Sequence, residues 1–375
     1  MRIAVLTNSY PPDARGGSGQ IAKLQVDWLT AQGHEVCIWV PEPFSAPENN
    51  QSQAFKCQTS IPFANLSRHN LFSRLIFHFE DLAPNAEVAE SIRKFQPDVL
   101  LTHNLTGCGW GTPKVLRQAG IRWIHILHDV QMVEPSGQIQ AHESLPALRR
   151  LWRGFWSRKR AKALGAPDVA VSPSRWLLDF HRKNNLFQTT ETKTIPNPTN
   201  LANSEHRTVN NEPRTILYVG RVSKDKGVEV LIKAWKKLQS KSRLVIVGDG
   251  PYLESIIELK DPSIECLGAL EHPKVAEQYK RASLLVFPSL LMENQPTVLI
   301  EAMSHGLNII ASDIGGVGEL LGGYGTLIPP DSVAKLSQAI SEQIDKKPDL
   351  VLGRAILSNH EINKVMESYQ KNFYK

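Results

Sequence analysis

Glu293 and Glu301, with seven residues between them, bracket Pro296 in the stretch FPSLLMENQPTVLIEAMSHGLNIIASDIGG, residues 287–316. Proline favours the first position of a helix and glycine its end, so Pro296 and Gly306 predict a helix over 296–305. The free backbone N–H groups at its start, near Thr297 and Val298, attract an anion. Glu301 lies about 7.5 Å along that axis from Pro296, so the two carboxylates are expected on either side of the anion. A nucleotide sugar has this outline: a diphosphate between two hydroxyl-rich rings, whose hydroxyls donate to carboxylates. Either glutamate alone is more often solvated or salt-bridged, and it is the neighbouring features that add weight.

Arg221 and Lys226 follow the strand pattern Thr215–Val219 and Gly220, just ahead of a helical pattern. Both cations are therefore expected at the carboxyl end of a strand, where they can hold a diphosphate. A departing nucleoside diphosphate gathers negative charge, which either a bound metal or fixed Arg and Lys stabilise. The chain has no Asp-x-Asp motif, so the expectation is a site without metal or other cofactor. The next strand pattern ends in Gly248, Asp249 and Gly250, whose glycines either let a ligand approach the backbone or simply turn the chain.

The elements that must position these residues read as two α/β halves. In the first, short apolar runs at Ile3–Thr7, Val36–Val40, Val99–Leu101, Trp123–Leu127 and Val169–Val171 fit buried parallel strands alternating with helices. In the second, strands at Thr215–Val219, Leu244–Val247, Leu284–Phe287 and Asn308–Ile310 alternate with helices at Val228–Leu238 and Pro296–His305. Right-handed crossovers put the binding edge of each sheet at the carboxyl ends of its strands. The expected organisation is a Rossmann-like domain over 1–194 on the acceptor side, a Pro- and Asn-rich linker over 195–213, a second Rossmann-like domain over 214–355 on the donor side, and a closing helix within 356–375 that crosses back to the first.

Taken together, these features resemble the retaining glycosyltransferases of family 4, the group 1 enzymes of the GT-B fold, in which two doubly wound α/β domains face each other across a cleft. The most specific match is the pair Glu293 and Glu301 inside the quoted stretch; looser matches are YPPDARGGSGQ with Gly16 and Gly17, GHEV, HILHDV and VSPSRW. The resemblance implies that Glu293 contacts the donor sugar, Glu301 the ribose hydroxyls, and Arg221 with Lys226 the diphosphate, with Gly220, Gly248 and the backbone of Gln295, Pro296, Thr297 and Val298 lining the donor. It also implies that His128 touches the sugar near the reacting carbon and that Gly16 and Gly17 form a glycine edge of the cleft. His103, Asn104 and Asp129, at strand ends, become candidates for the acceptor side. Many members have Gly-Phe-Gly after the first glutamate, whereas this chain has Asn294, Gln295 and Pro296, which bears on sugar selection.

The implied activity is a hexosyltransferase, transferring sugar with retention of configuration from a UDP- or GDP-sugar to a hydroxyl of a glycan, glycolipid or small molecule. Two other readings are open at this level: a GT-B-fold sugar-nucleotide epimerase, and a two-domain sugar-binding protein without catalysis. Gly17, Gly19 and Ala22 fit a GxGxxA pattern, but too many residues separate them from the strand for a nicotinamide site.

Composition sets the setting. Residues 1–190 hold 21 Lys+Arg against 15 Asp+Glu, and the remainder 22 against 22, so the excess of +6 lies in the first half. Seven basic residues in Arg149–Lys162 alternate with Leu151, Trp152, Phe155 and Trp156, predicting a helix with one basic and aromatic face. That face is either solvated or in peripheral contact with an anionic membrane; no nucleic-acid motif accompanies it. The four cysteines have no CxxC spacing, and no apolar run reaches the roughly 20 residues that span a bilayer. The expected location is the cytoplasm, or peripherally at the inner face of the membrane.

Overall fold

A computed structural model describes the chain except residues 13–16, 43–50, 56–58, 60–65, 67–68, 142–146, 200–213, 239–241, 260 and 375. The chain divides into two compact units, one formed by Met1–Gln138, Leu145–Pro198 and Ile362–Lys375, the other by Ile139–Ser144 and Thr199–Glu361. Most of the linker expected at 195–213 falls outside the described residues.

The first unit is built on seven parallel strands: β1 (Arg2–Leu6), β2 (Glu35–Pro41), β3 (Gln51–Phe55), β4 (Val99–Thr102), β5 (Arg122–Ile126), β6 (Val169–Ser172) and β7 (Glu191–Thr194). Their order is β3-β2-β1-β4-β5-β6-β7. Central strands are near-continuous apolar runs because both sheet faces are covered; Ile3, Ala4, Val5 and Leu6 are all buried. One face packs Ile3, Val5, Ile38, Leu101 and Ile124 against Ala22, Val26 and Leu29 of the helix Gly17–Ala31. The helix Ile362–Gln370 adds Val365, Met366 and Tyr369 to the same core. It is tied down by Trp28 Nε1, which donates to Asn363 Oδ1 at 2.8 Å.

The second unit holds six parallel strands: β8 (Thr215–Val219), β9 (Arg243–Val247), β10 (Ile264–Gly268), β11 (Leu284–Phe287), β12 (Asn308–Ser312) and β13 (Thr326–Ile328). Their order is β10-β9-β8-β11-β12-β13. The strand period of two sends Leu217, Val245, Leu285 and Ile309 into one core and Ile216, Leu244, Leu284 and Ile310 into the other. Residues 139–141 join this unit by backbone pairing, with Met292 N donating to Ile139 O at 2.8 Å and Ala141 N to Leu290 O at 2.7 Å.

Three local expectations need correction. The helix after Pro296 spans Thr297–Ser304, and Pro296 is its N-cap with extended ψ of 121°, because the chain is still leaving a loop there. The helix after Gly227 ends at Trp235, short of Leu238. The helix Ala147–Leu164 keeps only part of its basic and aromatic residues on an exposed face: Arg153, Trp156 and Arg160 are buried. Arg153 Nε donates to Glu134 Oε2 at 2.6 Å, and the Arg160 guanidinium lies 5.1 Å from the Trp110 ring and 5.6 Å from that of Trp156. Buried cations demand such partners, and a helical period cannot reveal where they sit.

Candidate active site

In each sheet the strand order reverses once, between β1 and β4 and between β8 and β11. A ligand crevice opens outside the carboxyl ends of strands at such a point. The expected site residues lie at these two places, one set in each unit.

In the second unit, Gly220 to Lys226 leave β8 and Pro288 to Glu293 leave β11. The two segments meet at Gly227, whose φ is +72° and where an added Cβ would fall 1.8 Å from Pro288 O. That close approach sets the Lys226 ammonium on Glu293 Oε1 as an ion pair, and Ser289 Oγ donates to the same oxygen at 3.1 Å. Both partners are only partly exposed, and such a pair contributes at most about 1 kcal/mol to stability. Its larger effect is to fix a cation and a carboxylate side by side. The Glu293 backbone is pinned as well: Gly316 N donates to its carbonyl at 2.9 Å, and at Gly315, φ +56°, a Cβ would fall 2.0 Å from that oxygen.

Arg221 is exposed; its carbonyl accepts from Tyr218 Oη at 2.6 Å, so the backbone is fixed while the guanidinium faces solvent. Gly220 N donates to Val247 O at 3.0 Å and Gly248 N to Gly268 O at 2.8 Å, carrying the ladder one residue past the strands. Asn294, Gln295, Pro296, Thr297 and Val298 are half-buried at the start of the helix, where the first N–H groups have no acceptor within the helix. Glu301, on the next turn, accepts at Oε2 from Tyr279 Oη at 2.9 Å. The Tyr279 ring stacks on His305 at 5.3 Å, and His305 Nδ1 meets the Glu301 carbonyl at 2.8 Å. Burial, then the Glu301 charge, hold the Tyr279 phenol well above its ordinary pKa, so it remains a donor.

In the first unit, β4 and β5 are neighbours with Thr102 opposite His125, which brings the residues after them together. His103 Nδ1 and His128 Nε2 are 2.8 Å apart and the rings stack at 5.1 Å. Burial drives His128 down to about 4 and His103 well below its ordinary value, so the pair is neutral and shares one N–H. We assign that proton to His103 Nδ1, which leaves its buried Nε2 as a bare lone pair rather than a stranded donor. Asn104 Nδ2 donates to Asp129 Oδ2 at 3.1 Å, and Asp129 Oδ1 accepts from Gln131 N at 2.8 Å. Burial lifts the Asp129 carboxyl to about 6. Gly17 is the first residue of a helix and exposed, not part of a loop edge. Its neighbour Ser18 is 3.5 Å from Asn104 Nδ2; Gly16 lies outside the described residues.

Sequence reasoning missed Ser289, Tyr279 and His305. Ser289 sits inside the quoted stretch, four residues from Glu293, and could have been found there. Tyr279 lies 22 residues before Glu301, with no local signal joining them.

Two doubly wound α/β units with this constellation in the second are the architecture of the GT-B glycosyltransferases. The chain matches the family model Glycosyltransferase Family 4 over residues 15–203 and that of the glycosyl transferases group 1 over residues 213–346. It belongs to this family and is a glycosyltransferase. Among its relatives, the teichuronic acid biosynthesis glycosyltransferase TuaC of Bacillus subtilis, itself assigned by inference, is 26% identical over 91% of this chain and 88% of its own. A GDP-mannose-dependent alpha-mannosyltransferase of Mycolicibacterium smegmatis is 26% identical over 86% of this chain and 82% of its own. Among solved structures, Anabaena HepE in complex with UDP-glucose matches with a TM-score of 0.68 at 17% identity, covering 99% of this chain and 98% of that one.

Proposed function

We propose that the protein transfers a sugar, with retention of configuration and without a metal, from a nucleotide-diphosphate sugar to a hydroxyl of a glycan or glycolipid in bacterial polysaccharide or glycolipid assembly, working peripherally at a membrane. The observation that carries this reading is the Lys226–Glu293 pair at the switch point of the second sheet, beside an exposed Arg221 and the start of the helix Thr297–Ser304. The relatives' names, one in teichuronic acid biosynthesis and one dependent on GDP-mannose, and the UDP-glucose complex of HepE, support the donor class and the pathway.

In this reading Arg221, Lys226 and the helix N–H groups hold the diphosphate, Glu293 the sugar hydroxyls and Glu301 the ribose. His128, neutral at working pH, offers a hydrogen bond to the sugar. The acceptor oxygen bonds to the anomeric carbon on the face the nucleotide leaves. The bond from that carbon to the phosphate oxygen breaks, and the acceptor's proton passes to that oxygen. No side-chain nucleophile is needed. Glu293, engaged by Lys226 and Ser289, is a hydroxyl acceptor rather than half of a glycosidase acid/base pair.

Titrating UDP, GDP, ADP and their common sugars against the full chain in EDTA tests the donor assignment. Selective binding of one nucleotide is expected, and a product of unchanged anomeric configuration by NMR. Binding to none, or an inverted product, overturns the reading. Tyr279→Phe probes the ribose contact: losing one donor to a carboxylate should raise the donor KM about 3- to 10-fold while leaving kcat nearly unchanged in steady-state kinetics. An unchanged KM would remove Glu301 from the donor site.

A further inference from the structure

The first unit exposes a contiguous apolar face on two helices, Leu71–Glu80 and Ala147–Leu164. Leu71 is 82% exposed, Phe72 70%, Leu148 79% and Leu151 72%, with Trp152 and Phe155 beside them. The helices are joined by an edge-on contact of Phe79 with Phe155 at 6.0 Å, and a groove of about 1170 Å³ runs between them. Isolated apolar residues on a surface are ordinary, but a continuous patch of this kind marks an interaction site.

Charge identifies the occupant. At 100° per residue, Leu148, Leu151, Trp152, Phe155, Arg158, Lys159 and Lys162 share one arc of their helix, while Arg153, Trp156 and Arg160 fall on the adjoining arc and are buried. The exposed arc is therefore apolar in its first half and cationic in its second, with Lys159 Nζ 5.6 Å above the Phe155 ring. Glu134, which lines the groove, is buried and already engaged by Arg153 and Arg149. A second copy of the chain docked about a two-fold axis would either stack the cationic ends on each other or lay each against the partner's apolar half, and both are unfavourable. Anionic lipid satisfies both halves. Among the described residues no helix is long and apolar enough to cross a membrane, so the surface lies on a bilayer rather than in it.

We propose that this face is the insertion surface for an anionic bilayer: Leu71, Phe72, Leu148, Leu151, Trp152 and Phe155 enter the boundary between headgroups and acyl chains, and Arg158, Lys159 and Lys162 lie at the level of the lipid phosphates. The inference deepens the membrane location proposed above by naming the surface that makes it. Co-sedimentation of the full chain with phosphatidylcholine vesicles, with and without phosphatidylglycerol, tests it without donor or acceptor. The chain should bind the anionic vesicles, with a blue shift of tryptophan emission. Leu148→Glu with Leu151→Glu should weaken binding at least tenfold on both vesicle types. Lys159→Ala with Lys162→Ala should weaken it roughly 25-fold on phosphatidylglycerol only, about fivefold per cation. Nucleotide titration of each variant, unchanged from the parent, shows that the fold is intact; its failure in the parent would sink the donor assignment and leave this surface standing. Absence of binding by the parent chain, equal binding by the variants, or a dimer that the Leu148→Glu, Leu151→Glu variant dissociates with no effect on vesicles would each overturn the proposal.

Discussion

Lys226→Ala should lower kcat for sugar transfer by about 10²- to 10³-fold, the cost of removing one pre-positioned group from developing negative charge. The ammonium is held on Glu293 by the ion pair, and the close approach of Gly227 to Pro288 fixes the backbone behind it. Negative charge on the departing diphosphate grows only as the bond breaks, so the loss belongs in kcat more than in donor KM. Arg221→Ala should cost less, because the guanidinium is exposed and solvent screens it. Circular dichroism and melting of the Lys226 variant should match the parent within a few degrees, since a partly exposed pair contributes little to stability. Single-turnover rates are the deciding measurement; parent-like transfer by Lys226→Ala would move the charge-stabilising role elsewhere.

Acid should unfold the first unit steeply below pH 6. Four of its histidines, His78, His103, His125 and His181, are buried, and burial lowers these four and His128 as well: His78 and His125 to about 3, His181 and His128 to about 4. The native state keeps them neutral while the unfolded chain takes up their protons below about pH 6.5. Unfolding therefore absorbs protons, and stability falls as pH drops through that window towards 4. Asp81 and Asp129 act in the opposite direction. Burial raises them to about 7 and about 6, so over part of the same range the native state holds protons that the unfolded chain has released. The net uptake of about three protons corresponds to a loss of roughly 4 kcal/mol per pH unit, against a total of about 5–15 kcal/mol for a typical protein. Chemical denaturation followed by tryptophan emission at several pH values measures the slope. His181→Gln should reduce it by about one proton, and a flat profile from pH 7 to 5 would refute the account.

The parts of this protein that were legible in its chain are those set by local chemistry. Central parallel strands announce themselves because both faces are buried, so Ile3 to Leu6 or Leu284 to Phe287 can be nothing but apolar. The start of the helix after Pro296, the glycines at Gly220 and Gly248, and the spacing of Glu293 from Glu301 are likewise short-range, and they were enough to bring out the family. The edge strands were not legible. Gln51–Phe55 and Glu191–Thr194 are polar stretches that become strands only because a neighbour offers a ladder.

What the sequence by itself determined is the class of fold, the two groups of strand-end residues and the family they belong to, since each depends on spacing along the chain and on burial periodicity. Tertiary structure alone decided which of those residues meet. Lys226 pairs with Glu293 across 67 positions, Tyr279 orients Glu301 across 22 and His103 joins His128 across 25, because parallel strands place loops side by side that are remote in sequence. The basic helix shows the same limit from the other direction. Arg153 and Arg158 are the same letter on the same helix, yet one is buried on Glu134 and the other faces solvent. Only packing against the rest of the unit breaks that symmetry.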